Sequence, residues 1–131
     1  MRGRQRGPAF CDYPASSVTS QGHRYAQFQR ALKTGNAHLA LAAAAEVRHV
    51  DLADALSLVL LIRDDDPLRY ERAAVRWLSR YTAEDRELRL AQARELVDML
   101  AAVGRHDQVA KLRLERWLRA RGYDDEADRV A

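Results

Sequence analysis

Residues 56–81 read LSLVLLIRDDDPLRYERAAVRWLSRY, and two helices and the joint between them follow from this stretch alone. Asp66 before Pro67 is a helix start: the carboxylate accepts from free amides, and proline at the first helical position forfeits no hydrogen bond. Downstream, Tyr70, Ala73, Ala74, Trp77, Leu78 and Tyr81 share one face of a helix over about 67–81, with Arg69, Arg72, Arg76 and Arg80 on or beside the opposite face. Upstream, LSLVLLI is apolar almost all the way round, which predicts a central helix over about 52–63 enclosed by others. Asp51 is its expected N-cap, and Asp54 places negative charge in the first turn.

The wider composition agrees with this helical reading. The chain has 131 residues, the size of one domain, with 23 Ala and 17 Leu against ten Val plus Ile and three Thr. Unbranched side chains favour helices and branched ones strands, so the composition predicts an all-α protein and excludes a sheet-based fold. The lone Cys11 permits no internal disulfide, and no apolar run reaches the length of a signal peptide or a membrane span. A cytoplasmic location is expected. Twenty Arg against two Lys, with abundant Ala, reads as the coding bias of a GC-rich genome.

Glycines and caps place four further helices. One over about 24–34 ends at Gly35, and Asn36 caps the next, over about 37–48. A fifth, over about 87–103, follows TAEDRE, where Thr82 and Asp85 are spaced as a capping box; Leu90, Ala93, Leu96, Val97, Leu100 and Val103 form its face before Gly104. The sixth, about 107–121, carries Ala110, Leu114, Trp117 and Leu118 and stops at Gly122. A shift of 40 residues superposes Ala53, Leu56 and Leu60 on Ala93, Leu96 and Leu100, and Arg76-Trp77-Leu78 on Arg116-Trp117-Leu118. Short connections make consecutive helices antiparallel, so about six helices are expected as three αα-hairpins, either a short α-solenoid-like array or a helical bundle. Residues 1–22 are expected to be a flexible basic tail, 23–123 a single helical domain, and 124–131 a polar, fraying end.

The segment from Phe28 to Tyr81 resembles a group of small uncharacterised helical proteins of high-GC actinobacteria, and ALKTGNAHLALAAA resembles the turn between paired helices in tetratricopeptide and HEAT-like arrays. The first resemblance implies a cytoplasmic helical protein and no functional residues.

Net charge is +3, of which residues 1–22, with three Arg and one Asp, hold +2. A nearly neutral body argues against a dedicated nucleic-acid binder. Candidate reactive groups have simpler roles. Asp64, Asp65 and Asp66 sit where acidic residues favour a helix start, and consecutive positions point apart. No two of His23, His38, His49 and His106 fall one helical turn apart, so no metal site is indicated. Cys11 has no activating neighbour. Ser57 and Ser79 lack any nucleophile elbow, and no glycine-rich phosphate loop is present, so neither catalysis nor a cofactor is expected.

The expected function is therefore a non-catalytic module that binds another protein or itself. Tyr70, Arg76, Trp77 and Tyr81 are the candidate protein contacts, exposed if the array leaves a groove open. The alternative is a small DNA-associated regulator using the arginine tail and the basic last helix, where Arg113, Arg116 and Arg119 would face phosphates.

Overall fold

Asp66 accepts from the backbone amides of Leu68 and Arg69, at 3.2 and 3.3 Å, and Pro67 opens the helix it caps, so the joint between the two helices of residues 56–81 forms as its chemistry requires. The computed structural model describes residues 12–131, and every regular element among them is an α-helix. In chain order these are α1 (Asp12–Thr34), α2 (Ala37–Ala44), α3 (Leu52–Asp65), α4 (Pro67–Glu84), α5 (Leu90–Gly104), α6 (Gln108–Ala120) and α7 (Asp124–Val130). The expected tail residues Arg2, Arg4, Arg6 and Cys11 lie outside the described residues.

The chain divides into two compact units, one up to Val50 and one over Asp51–Ala131, where a single domain over 23–123 was expected. In the first unit α1 begins twelve residues before the predicted Arg24 and takes in half of the expected tail. Pro14 falls in the first turn, where no amide hydrogen is needed, and Gly22 is tolerated at about 1 kcal/mol. Gly35 turns the chain at φ +77, and Asn36 caps α2 through the Leu39 amide at 3.1 Å. Helix α2 stops four residues short of prediction because its last turn tightens: Glu46 and Val47 donate to the carbonyls of Ala43 and Ala44, three residues back. The Gln21 side chain accepts from the Arg48 amide and ties the segment after α2 to α1. Phe28, Ala31, Ala37 and Ala40 are buried here.

In the second unit α3 packs on α4, α4 on α5, α5 on α6 and α6 on α7, and α7 returns to α3. The core gathers Leu56, Val59 and Ile62 of α3, Tyr70, Trp77 and Tyr81 of α4, Leu96, Met99, Leu100 and Val103 of α5, and Leu114 and Leu118 of α6. Helix α3 is flanked by α4 and α7 and is not enclosed on all sides; Leu58, Leu60 and Leu61 remain half-buried. Asp51 stands at its N-cap position without a side-chain capping bond.

Three further expectations are corrected. Helix α4 runs on to Glu84, and Thr82 and Asp85 form no capping box: the Thr82 hydroxyl donates to the Ser79 carbonyl, while Asp85 ends α4. Helix α5 begins at Leu90, which is 91% exposed and takes no part in its buried face. The Gln92 side chain, accepting from the Arg89 amide at 2.9 Å, supports this later start. Finally, DDEADRV does not fray. It forms α7, with Ala127 and Val130 buried, because these two residues, three apart, give one turn of helix an apolar side.

Candidate functional site

The apolar stripe of α4 points Tyr70, Ala74, Trp77 and Tyr81 into the core, and the positions beside it turn toward α5. There Val75 is 64% exposed, and Val97 of α5 is 45% exposed. Between them runs an open groove of about 380 Å3, lined by Pro67, Tyr70, Glu71, Ala74, Val75 and Leu78 of α4 and by Val97, Leu100, Ala101, Gly104 and Arg105 of the α5 side. It stays open because Ala74, Ala101 and Gly104 have too little side chain to fill the space between the two helix backbones.

Tyr70 sets the spacing at one end. Its hydroxyl donates to the Leu100 carbonyl at 2.7 Å, and its ring lies so close to Gly104 that a β-carbon there would come within 2.6 Å of it. Burial pushes the Tyr70 phenol up to about 12. Gly104 thus serves by its lack of volume: it is the last residue of α5, and the residue that turns left-handed is His106, two positions on, at φ 62.

The structure separates the four candidate protein contacts. Tyr70, Trp77 and Tyr81 are 3%, 2% and 0% exposed, so as surface contacts they are corrected to core residues, while Arg76 is exposed. The Trp77 indole donates to the Leu52 carbonyl at 2.9 Å, a bond between α4 and the start of α3. Tyr81 stacks on Trp77 with ring centroids 5.4 Å apart and packs against Trp117 and Tyr123.

Of the candidate phosphate contacts, Arg113 and Arg116 are exposed, but Arg119 bridges Glu115 and Asp128, at 3.3 and 3.1 Å. An arginine already held by two carboxylates must break those bonds before it meets a phosphate. The aspartate run is likewise in use: Asp66 caps α4, and Asp64 accepts from Arg63 and lies 4.0 Å from His106. Among the described residues no group of three or more His, Cys, Asp or Glu is placed to hold a metal ion. Ser57 lies within hydrogen-bond reach of Arg129, and Ser79 is exposed.

Two buried carboxylates were not predicted as such. Asp85 accepts from Arg121 Nε at 2.6 Å and from Nη2 at 3.0 Å, and the Tyr81 hydroxyl donates to it at 2.7 Å. Arg121 holds the Asp85 carboxyl below its ordinary range, and Asp85 raises Arg121 in turn; burial pushes the Tyr81 phenol up. Arg121 also sits 5.3 Å from the centre of the Trp117 ring. In the second pair Asp54 of α3, 2% exposed, accepts from Arg129 of α7. The available signal was Ala127 and Val130, whose spacing marks residues 124–130 as a helix that docks and brings Arg129 with it.

Other arginines on or beside α4 and α5 differ from these. Arg69, Arg72 and Arg76 on α4, Arg94 on α5 and Arg105 beyond its end are all exposed, and among the described residues none of them forms an ion pair. No helix is long and apolar enough to cross a membrane among those residues. No protein-family model, no curated protein and no solved structure matches the chain.

Proposed function

We propose that the protein is a non-catalytic interaction module of helical-repeat type and that the groove between α4 and α5 receives a helix of another protein or of a second copy. The observation that carries this reading is the pair Val75 and Val97, two exposed branched side chains, one from each helix, lining the same apolar groove. Helix-binding surfaces have this form: apolar walls that take side chains recurring every three or four residues. Supporting the repeat, Trp77 joins α4 to α3 and Trp117 joins α6 to α5 by its bond to Glu95, so the two tryptophans superposed by the 40-residue shift each link a helix to the one before it. In the second unit the return of α7 to α3 favours a closed bundle over an open array.

The experiment is site-specific photo-crosslinking in the native cell. A crosslinker at Val75 or Val97 is expected to capture the same partner, and filling the groove by Ala101→Trp to abolish the capture. A crosslinker at Leu112, exposed on α6, supplies the control. Equal capture from Leu112, or capture indifferent to Ala101→Trp, overturns the proposal.

A further inference from the structure

The buried positions of α4, Tyr70, Ala74, Trp77 and Tyr81, fix how the rest of that helix is turned. At about 100° per residue, Arg69, Arg72, Ala73, Arg76, Arg80 and Ala83 fall together within an arc of about 100°, and no other residue of α4 lies in it. The α4 residues that line the groove occupy the far side of the helix, so this arc is a separate surface. Arg69, Arg72 and Arg76 are exposed and Arg80 is half-buried, and none of the four has an ionic partner among the described residues. Although the body of the chain is nearly neutral, part of its acid is committed elsewhere: Asp54, Asp64, Asp85, Glu115 and Asp128 each hold an arginine of another face. On this arc the charge is of one sign, interrupted only by alanine. Like charges three and four residues apart repel, so the row weakens its own helix slightly.

We propose that this arginine row is a docking surface for the phosphate backbone of a duplex nucleic acid, contacted without regard to sequence. It does not depend on the reading of the groove. Charge complementarity requires an anionic partner, and the rest of the arc chooses among anions. A protein partner needs an apolar centre to its interface, and the arc holds no apolar side chain larger than alanine. A single strand is held by stacking its bases on aromatic rings, and Tyr70, Trp77 and Tyr81 of α4 are all buried. What remains is a phosphate backbone, whose oxygens accept from the paired donors of each guanidinium. From Arg69 to Arg80 the row extends about 16 Å along the helix, which matches about five phosphates of one strand at 3.4 Å of rise each. Phosphates laid along it relieve the repulsion within the row.

The test is fluorescence anisotropy of the full chain with labelled DNA duplexes of about 20 base pairs in two unrelated sequences. Both are expected to bind equally at low salt, with log affinity falling against log salt at a slope of about −3, since each neutralised phosphate contributes about 0.9. Arg72→Gln with Arg76→Gln is expected to reduce that slope by about two and to weaken binding at least about tenfold at about 50 mM salt. Arg113→Gln with Arg116→Gln, at exposed positions of α6, is expected to change neither. Both variants should keep the helix content of the parent in circular dichroism, because the side chains removed are exposed and unpaired.

Failure of both duplexes to bind at about 50 mM salt overturns the proposal. So does binding whose salt slope ignores Arg72→Gln with Arg76→Gln, since the phosphate contacts then belong to α6 or to Arg2, Arg4 and Arg6. Poly-glutamate, or vesicles rich in phosphatidylserine, bound through Arg72 and Arg76 more tightly than the duplex would assign the row to an acidic protein or to a membrane surface and would equally sink it.

Discussion

The two sides of the second unit treat arginine in opposite ways. Where α6 and α7 close the bundle, Arg119, Arg121 and Arg129 are each bound to carboxylates, and those bonds span as much as 75 residues of chain. On and beside α4 and α5, Arg69, Arg72, Arg76, Arg94 and Arg105 have exposed side chains and no ionic partner among the described residues. The same residue type thus fastens helices together in one place and stands in solvent in another. Burial accounts for Arg121, 17% exposed, since a guanidinium taken out of water requires a fixed counter-charge; Arg119 and Arg129 are exposed and pair because carboxylates of α3, α6 and α7 are placed beside them.

The largest expected effect tests the fastened side. Arg121→Ala leaves the buried Asp85 carboxylate with only the Tyr81 hydroxyl and the Glu87 amide for support, and should lower unfolding stability by about 3 kcal/mol in urea titration. Asp85→Ala combined with Arg121→Ala should recover part of that loss, since no charge is then stranded. The effect has a defined pH window. Because Arg121 depresses the Asp85 carboxyl, the pair's contribution is fully present above about pH 4, where the unfolded carboxyl ionises, and is lost as pH falls through the lower folded value. The gap between the wild type and Arg121→Ala should therefore close in acid; a gap that stays constant to low pH would remove the ion pair as its cause.

Next in size, Gly104→Ala should cost about 2 kcal/mol, because the new methyl group overlaps a Tyr70 ring that its hydroxyl bond holds in place. Tyrosinate absorbance provides a second reading. With its phenol pushed up to about 12, Tyr70 contributes stability that is intact below about pH 10 and declines as pH rises toward the folded value. Displacing the ring should bring its ionisation closer to that of a free tyrosine. Smaller again is Asp54→Ala, at about 1.5 kcal/mol: Arg129 is 38% exposed on its side chain and turns to water more readily than Arg121, which is 17% exposed. Hydrogen exchange should then quicken in α7 more than in α4. A loss exceeding that of Arg121→Ala would contradict the ranking.

Local chemistry was readable from the chain, and distant pairing was not. Asp66 with Pro67, and Gly35 with Asn36, act on their own backbone within three residues, so the boundaries they set were predicted from the letters alone. Gly104 was read as a stop because glycine punctuates helices, and α5 does end there, but it also makes room for a ring 34 positions earlier in the chain. Asp85 and Arg121 are 36 residues apart, and either alone reads as an ordinary polar residue near a helix end. A groove was anticipated as a possibility of the architecture; of the aromatics expected on it Tyr70 lines it, buried, while Trp77 and Tyr81 lie in the core. Periodicity identifies the buried stripe of α4, and Trp77 and Tyr81 obey it; the exposed Val75 breaks it, and with Arg76 was the better guide to the surface.

The smallest effect separates the two sides most cleanly. Replacing Arg72 and Arg76 by Gln removes three like-charge pairs, Arg69 with Arg72, Arg72 with Arg76 and Arg76 with Arg80, and breaks no ion pair, so stability should rise by about 0.5 kcal/mol at low salt. The gain should fade as salt screens the repulsion. Arg119→Gln should have the opposite sign, since it loses contacts to Glu115 and Asp128. If both replacements destabilise, Arg72 and Arg76 have partners within the fold after all, and the contrast between paired and unpaired arginines fails.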